Sequence, residues 1–119
     1  MPYDPGAGRM TEEMERTLAA LRVKFTDGVD SRILFFEAAL ADLRAGADTR
    51  ATARSIRDAA HGIAGLAPSL GFADVGAAAA ETEMAWEHVA AAPRNRQDLD
   101  AAIAALDTLL DRLEATLEP

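Results

Sequence analysis

Apolar residues recur along most of this chain at steps of three and four, the spacing that gives an α-helix one apolar face. The most regular segment extends from about Gln97 to Leu117 and carries large aliphatic side chains at Leu99, Ile103, Leu106, Leu110, Leu113 and Leu117. Another extends from Lys24 to Ala45 and carries Phe25, Val29, Ile33, Phe36, Leu40 and Leu43. These two patterns predict amphipathic helices that each bury one stripe of side chains.

Two further helices are expected between these segments. The first begins at a cap on Asp48 or Thr49 and ends near Gly71, because a residue without a Cβ accepts the left-handed conformation common at helix ends. Its predicted core-facing residues are Ile56, Ala59, Ile63, Leu66, Ala67 and Leu70. The second covers about residues 73–91, is closed by Pro93, and has as its inner stripe Val75, Ala79, Thr82, Trp86 and Val89.

The N-terminal part of the chain is expected to add a tail and a short helix. Residues 1–9 contain two prolines and two glycines, which predicts a flexible tail. A helix from about Thr11 to Arg22 follows, with its apolar side formed by Met14, Leu18 and Leu21. Strand-like alternation and internal repeats are missing. We therefore expect an all-α fold, an antiparallel up-down-up-down four-helix bundle with a short N-terminal capping helix, in one domain over residues 10–119.

Composition narrows the classes of function. The formal charge of −8, from 20 acidic and 12 basic residues, argues against nucleic acid as a partner, because phosphate binding relies on accumulated Lys and Arg. The absence of cysteine excludes disulfides, thiol catalysis and thiolate zinc sites. No apolar run approaches the roughly 20 residues that cross a bilayer, and the first residues lack the pattern of a signal peptide. We therefore expect a cytoplasmic monomer that binds no membrane.

His61 is the side chain whose position points to chemistry. With about 100° per residue, the large apolar residues of its helix lie on the opposite side, so the imidazole faces water. Gly62 and Gly65 together destabilise a helix by roughly 2 kcal/mol relative to alanine, so we expect each to have a role in packing or function. Gly65 would let a partner's backbone or a phosphoryl group approach the imidazole, whereas Gly62 equally suits tight helix packing. Pro68 is expected to kink or loosen the last turn.

The segment from His61 to Phe72 resembles the signature of histidine-containing phosphotransfer (HPt) domains. In that signature a histidine is followed by an apolar residue, a small or basic position, a glycine and later an apolar–glycine pair, which match His61, Ile63, Gly65, Ala67, Leu70 and Gly71. Residues 22–45 resemble the phenylalanine-containing second helix of the family, and residues 75–83 resemble the acidic-ended run after its site. This sequence departs from the family at Ala64, where a lysine is common, and at Thr82, where a leucine is usual.

The resemblance implies a phosphoryl carrier. Nε2 of His61 would attack an aspartyl phosphate on the receiver domain of a response regulator or hybrid histidine kinase, and would later return the group to another receiver. Any Mg²⁺ would belong to the receiver. This chain has no glycine-rich phosphate loop and no nucleotide-binding fingerprint, so we expect no autonomous kinase activity, no cofactor and no metal site of its own.

The residues around His61 are expected to support transfer and docking. Arg57, four residues before His61, is the candidate for the cationic role that Ala64 leaves vacant, and Arg54 is a more distant one. The expected docking surface surrounds His61 with Arg57, Ala64, Gly65 and Pro68, completed by residues of the preceding helix. Of the adjacent pair Phe35 and Phe36, which lie about 100° apart, one is expected to reach a groove used by a partner.

Three other interpretations fit the sequence to different degrees. The departure at Ala64 is compatible with an HPt-like helical adaptor that binds receiver domains without carrying phosphate. The phosphoacceptor region of a histidine kinase fits less well, because such regions usually place proline four or five residues after the histidine, and Pro68 is seven after it. A metal site at His88 is not expected, since the nearby glutamates do not form paired Glu-x-x-His motifs.

Overall fold

The computed structural model describes the backbone from Pro5 to Pro119 and the side chains from Thr11 onward. Over these residues the regular structure is helical, and it consists of α1 (Pro5–Asp27), α2 (Val29–Arg44), α3 (Thr49–Leu66), a 3-10 turn (Pro68–Leu70), α4 (Ala73–Ala91) and α5 (Arg96–Ala115). Helices α2 to α5 pack as a four-helix bundle in which successive helices run antiparallel. The expected all-α bundle is confirmed.

The bundle core contains the apolar stripes that the sequence predicted for α2 and α4. Val29, Phe36 and Trp86 are fully buried, and Thr82, also fully buried, donates its hydroxyl hydrogen to the carbonyl oxygen of Ala78 at 2.8 Å. The stripe predicted for α5 is rotated. Its fully buried residues are Ala102, Leu106, Leu109 and Leu113, whereas Leu117 is 42% exposed. On α3, Leu66 was expected in the core but is 39% exposed.

The N-terminal helix is longer than expected, and its junction with the next helix lies at Gly28 rather than near Val23. Gly28 keeps a right-handed helical conformation, with φ −87° and ψ −5°. Its N–H donates to the carbonyl of Lys24 and its own carbonyl accepts from the N–H of Arg32, both at 3.2 Å. Because helical hydrogen bonding spans the junction, α2 continues close to the direction of α1. The molecule accordingly measures 63 × 27 × 19 Å.

The last turns of α1 contact the end of the bundle, and Leu18 packs against the core from the middle of the helix. Arg22 Nε donates to the carbonyl oxygen of Leu70 at 2.6 Å, and the ring of Phe25 stacks on that of Phe72 with centroids 5.1 Å apart. These contacts cap the end of the bundle where α3 terminates. The predicted tail over residues 1–9 falls partly outside the described residues, since residues 1–4 are not described, and α1 begins within it at Pro5.

Both ends of α3 are shaped by residues with known preferences for helix ends. Asp48 caps its first turn by accepting the N–H of Ala51 at 2.8 Å, as expected. The α-helix stops at Leu66, and Pro68 begins a 3-10 turn, so the proline does loosen this end. Gly71 follows with φ +91°, a backbone conformation that glycine adopts without strain.

A close contact between Pro68 and Gly76 joins the end of α3 to α4. A Cβ placed on Gly76 would lie 2.4 Å from Cγ and 2.8 Å from Cδ of Pro68, so only glycine leaves room for the proline ring. The absence of a side chain therefore lets α4 approach the end of α3. This contact brings the first turn of α4 close to the end of the helix that carries His61.

Candidate functional site

His61 lies on α3 with its side chain 75% exposed, at the border with α4. Its Nδ1 is 2.7 Å from Oε1 of Glu83, which is 31% exposed and lies on α4. The outward orientation expected from helical geometry thus holds, but the imidazole is not free. One ring nitrogen is held by a carboxylate, and the other is available to a partner.

The pairing with Glu83 determines which nitrogen of His61 can act as a nucleophile. An ionised carboxylate only accepts hydrogen bonds, so Nδ1 must carry the proton that it donates to Glu83. In the neutral ring the lone pair then resides on Nε2, on the opposite side of the ring. The carboxylate also lies where it stabilises positive charge that develops on the ring when Nε2 forms a bond.

Arg57 is engaged by carboxylates rather than by His61. Its Nε and Nη2 are each 3.0 Å from Oδ1 of Asp58, and its Nη1 is 3.6 Å from Oε1 of Glu87 on α4. Within the described residues no hydrogen bond or ion pair joins Arg57 to His61. Arg54, one turn before Arg57 on α3, is exposed. A cationic role for either arginine would require a change of side-chain conformation.

The face of α3 beside His61 is smooth and open. A Cβ on Gly62 or on Gly65 would meet no atom within 4 Å, so neither glycine is needed for packing inside this chain. The alternative that Gly62 serves tight helix packing is therefore wrong. Leu66 lies on the same open side, whereas Ala64 is half-buried against the core on the side of α4.

A groove between α2 and α3 extends this face. It has a volume of about 220 Å³ and is lined by Ser31, Arg32, Phe35, Phe36, Ala59 and Ile63. Phe35 is 44% exposed and packs edge-on against the fully buried Phe36, with ring centroids 5.6 Å apart. The adjacent phenylalanines thus differ in exposure, because Phe36 is buried in the core and Phe35 is exposed at the groove. Phe35 also borders a second groove of about 350 Å³ toward the start of α3.

Sequence reasoning did not identify Glu83, Glu87 or Gly76 as site residues. Glu83 and Glu87 are one helical turn apart on α4, and His61 and Arg57 are one turn apart on antiparallel α3. The matched spacing was a signal available in the sequence, but its use requires knowing the register of the two helices. Gly76 gave no signal, because its role depends on a proline ring from another element.

Neither a metal-binding cluster nor a membrane-spanning helix is found in the described part of the chain. No group of three or more His, Asp or Glu side chains there could hold a metal ion. None of its helices is both long and apolar enough to cross a membrane.

Comparison with protein-family models gives a match. Residues 8–116 match the sequence model of a family described as Hpt domain, which covers the bundle and most of α1. Comparison with curated proteins and with solved structures gave no match.

Proposed function

The chain belongs to the Hpt domain family, and on that premise we propose that it relays phosphoryl groups between aspartates of receiver domains through phospho-His61. Membership of the family implies a phosphotransfer role in two-component signalling and interaction with receiver domains. The observation that carries the assignment to His61 is its geometry. The imidazole is exposed, and a carboxylate 2.7 Å from Nδ1 leaves the lone pair on Nε2.

In the proposed reaction, Nε2 of His61 attacks the phosphorus of an aspartyl phosphate on the partner. The Nε2–P bond forms, the P–O bond to the aspartyl carboxylate breaks, and that carboxylate leaves with the electron pair. The proton stays on Nδ1, and the positive charge that develops on the ring is stabilised by the Glu83 carboxylate. The reverse reaction returns the phosphoryl group to the aspartate of another receiver, and the chain itself contributes no nucleotide chemistry.

The proposed docking surface combines the open face of α3 with the groove beside α2. Gly62 and Gly65 allow a partner's backbone to approach the imidazole, while Leu66 and Phe35 provide exposed apolar contacts. Pro68 borders the same surface. We assign the divalent cation that assists transfer to the receiver domain, and we propose that the carrier acts as a cytoplasmic monomer.

Transfer to His61 is tested by incubating the chain with a phosphorylated receiver domain and separating the two proteins. We expect acid-labile phosphoryl label on the wild type and none on His61→Gln. His88→Gln serves as the matched control, because it removes the other histidine of the chain from a position outside the site, and it should label normally. Equal labelling of the wild type and His61→Gln would exclude the assignment.

A second function is an adaptor that binds receivers without carrying phosphate. It is favoured by two observations: Arg57 is engaged by Asp58 and Glu87, and Ala64 offers no cation beside His61. The same experiment separates the two functions. If the protein is an adaptor, the wild type and His61→Gln will bind the receiver equally well, and neither of them will acquire label.

A further inference from the structure

Helices α3 and α4 carry one hydrogen-bonded pair and one ion pair in the same register. His61 faces Glu83, and one turn away Arg57 faces Glu87, with Nη1–Oε1 at 3.6 Å. Asp58 adds two closer contacts to the same guanidinium, each at 3.0 Å. The Arg57 side chain is 26% exposed, while the Asp58 and Glu87 side chains are 71% and 62% exposed. The cation nearest to the phosphoacceptor in sequence is therefore held by two solvated carboxylates.

Phosphorylation of His61 would place a strong competitor beside this cluster. A phosphoryl group brings close to two negative charges and several acceptor oxygens, and guanidinium binds such groups through charge-assisted hydrogen bonds. Residues four apart on a helix have Cβ atoms about 5–6 Å apart, so the long Arg57 side chain can reach a group on His61 by changing its rotamers. Exposed ion pairs contribute little energy, so the existing contacts of Arg57 present only a low barrier to exchange.

We propose that Asp58 and Glu87 compete with the phosphoryl group on His61 for Arg57, and thereby lower the retention of phosphate by this carrier. The inference rests on the proposed function, since it concerns the stability of phospho-His61. Asp58 and Glu87 act through Arg57 and do not touch the reacting atoms, so they are positioning residues. Their effect is to favour release of the phosphoryl group to the next receiver.

The test measures the equilibrium between phosphorylated receiver and phosphorylated carrier, with the proteins dilute enough to be unbound. This ratio depends on the relative stability of the two phosphorylated proteins and not on how well they dock. Glu87→Gln and Asp58→Asn should each shift the ratio toward phospho-His61 by about two- to five-fold, the range expected for loss of one exposed competing ion pair. Arg57→Gln should shift it in the opposite direction. The half-life of isolated phospho-His61 should change in the same sense.

Two controls separate competition for Arg57 from a general effect of charge. Glu81→Gln removes a carboxylate from α4 in a groove lined by Met84 and His88, away from His61, and should leave the ratio unchanged. In an Arg57→Gln background, Glu87→Gln should no longer shift the ratio. The proposal is overturned if Glu87→Gln and Asp58→Asn leave the ratio as in the wild type, or if their effects persist without Arg57. Failure of the wild type to accept label would instead contradict the proposed function.

Discussion

At the scale of single residues, the contact between His61 and Glu83 matters most for chemistry. A lone exposed histidine exchanges its proton between two nitrogens and samples several ring orientations. The 2.7 Å contact with Glu83 selects one tautomer and restrains the ring. The imidazole is thus already ordered in the free protein, so binding to a receiver does not have to supply the free energy of ordering it.

Replacement of Glu83 tests this role. In Glu83→Gln the amide oxygen can still accept the Nδ1 proton, but the negative charge that stabilises the phosphorylated ring is lost. We expect the initial rate of labelling by a phosphorylated receiver to fall on the order of 10- to 100-fold, as for other carboxylates that orient functional histidines. Glu81→Gln, on the same helix but directed elsewhere, is the control. A Glu83→Gln rate equal to the wild-type rate would contradict the role.

Single residues also show how much of the site can be predicted from the sequence. The sequence located His61 and the open position at Gly65, because both follow from the angular spacing of one helix. It did not locate Glu83, which comes from a different helix. The two helices meet in a register that packing determines, and one residue of difference in that register would direct Glu83 away from the imidazole.

At the scale of helices, the contact of Pro68 with Gly76 links the end of α3 to α4. The proline ring occupies the space that a Cβ on Gly76 would need, at 2.4 Å from Cγ. Because a pyrrolidine ring cannot rotate away as a flexible side chain can, the two helices must separate if this space is filled. The position of Glu83, two turns further along α4, depends on the same approach.

Gly76→Ala should therefore destabilise the fold by about 1–3 kcal/mol through overpacking. Gly62→Ala is the matched control, because its new methyl group meets nothing within 4 Å and replaces a poor helix former, so we expect a gain of up to about 1 kcal/mol. Urea unfolding followed by the fluorescence of Trp86, the single tryptophan and a fully buried one, measures both. Equal stability of the two variants would exclude this account of the contact.

The rotation of the buried face of α5 also arises from contacts between helices. Its most regular leucines predicted one stripe, but the buried face is turned by about 50° toward Ala102 and α4. The small residues of α4 allow a close approach, and Thr82 Oγ1 lies 3.2 Å from the carbonyl oxygen of Ala105. A hydrophobicity pattern identifies the large apolar side chains of a helix. Which face of α5 is buried depends also on small residues, because these allow the neighbouring helix to approach closely.

At the scale of the whole molecule, the proposed docking surface spans two helices. Phe35 on α2 borders the groove next to α3, with Ala59 and Ile63 on the other wall. Ala59 lies about 160° around α3 from His61, and the exposed Gly62 lies between them, so we expect a receiver that reaches the imidazole to extend over Gly62 to this groove. We expect the apolar contact at Phe35 to stabilise the complex and the imidazole to perform the chemistry.

Phe35→Ala should weaken binding of a receiver domain by about ten-fold, in the range of a moderately important aromatic contact in an interface. The matched control is Leu34→Ala, which removes a neighbouring apolar side chain that is 64% exposed and does not line the groove. Titration calorimetry with the receiver gives both dissociation constants, and thermal unfolding checks that neither variant loses its fold. Equal weakening in both variants would place the receiver elsewhere on α2.

Helix α1 extends the molecule beyond the bundle. Its apolar residues Met14 and Leu21 have the spacing of a buried stripe but are 62% and 41% exposed. The same spacing in α2 is buried because α3 and α5 lie opposite it. A periodic pattern states which side of a helix is apolar and carries no information about what covers that side.

The sequence by itself determined the number of bundle helices, most of their inner faces, a cap at Asp48 or Thr49, the disturbance at Pro68 and the exposure of His61. Each of these follows from local geometry, because the period of a helix and the backbone preferences of proline and glycine act within a few residues. The tertiary structure alone decided the partners of His61 and Arg57, the contact between Pro68 and Gly76, and the groove at Phe35. Those depend on the register and distance between helices, which the packing of the whole core sets.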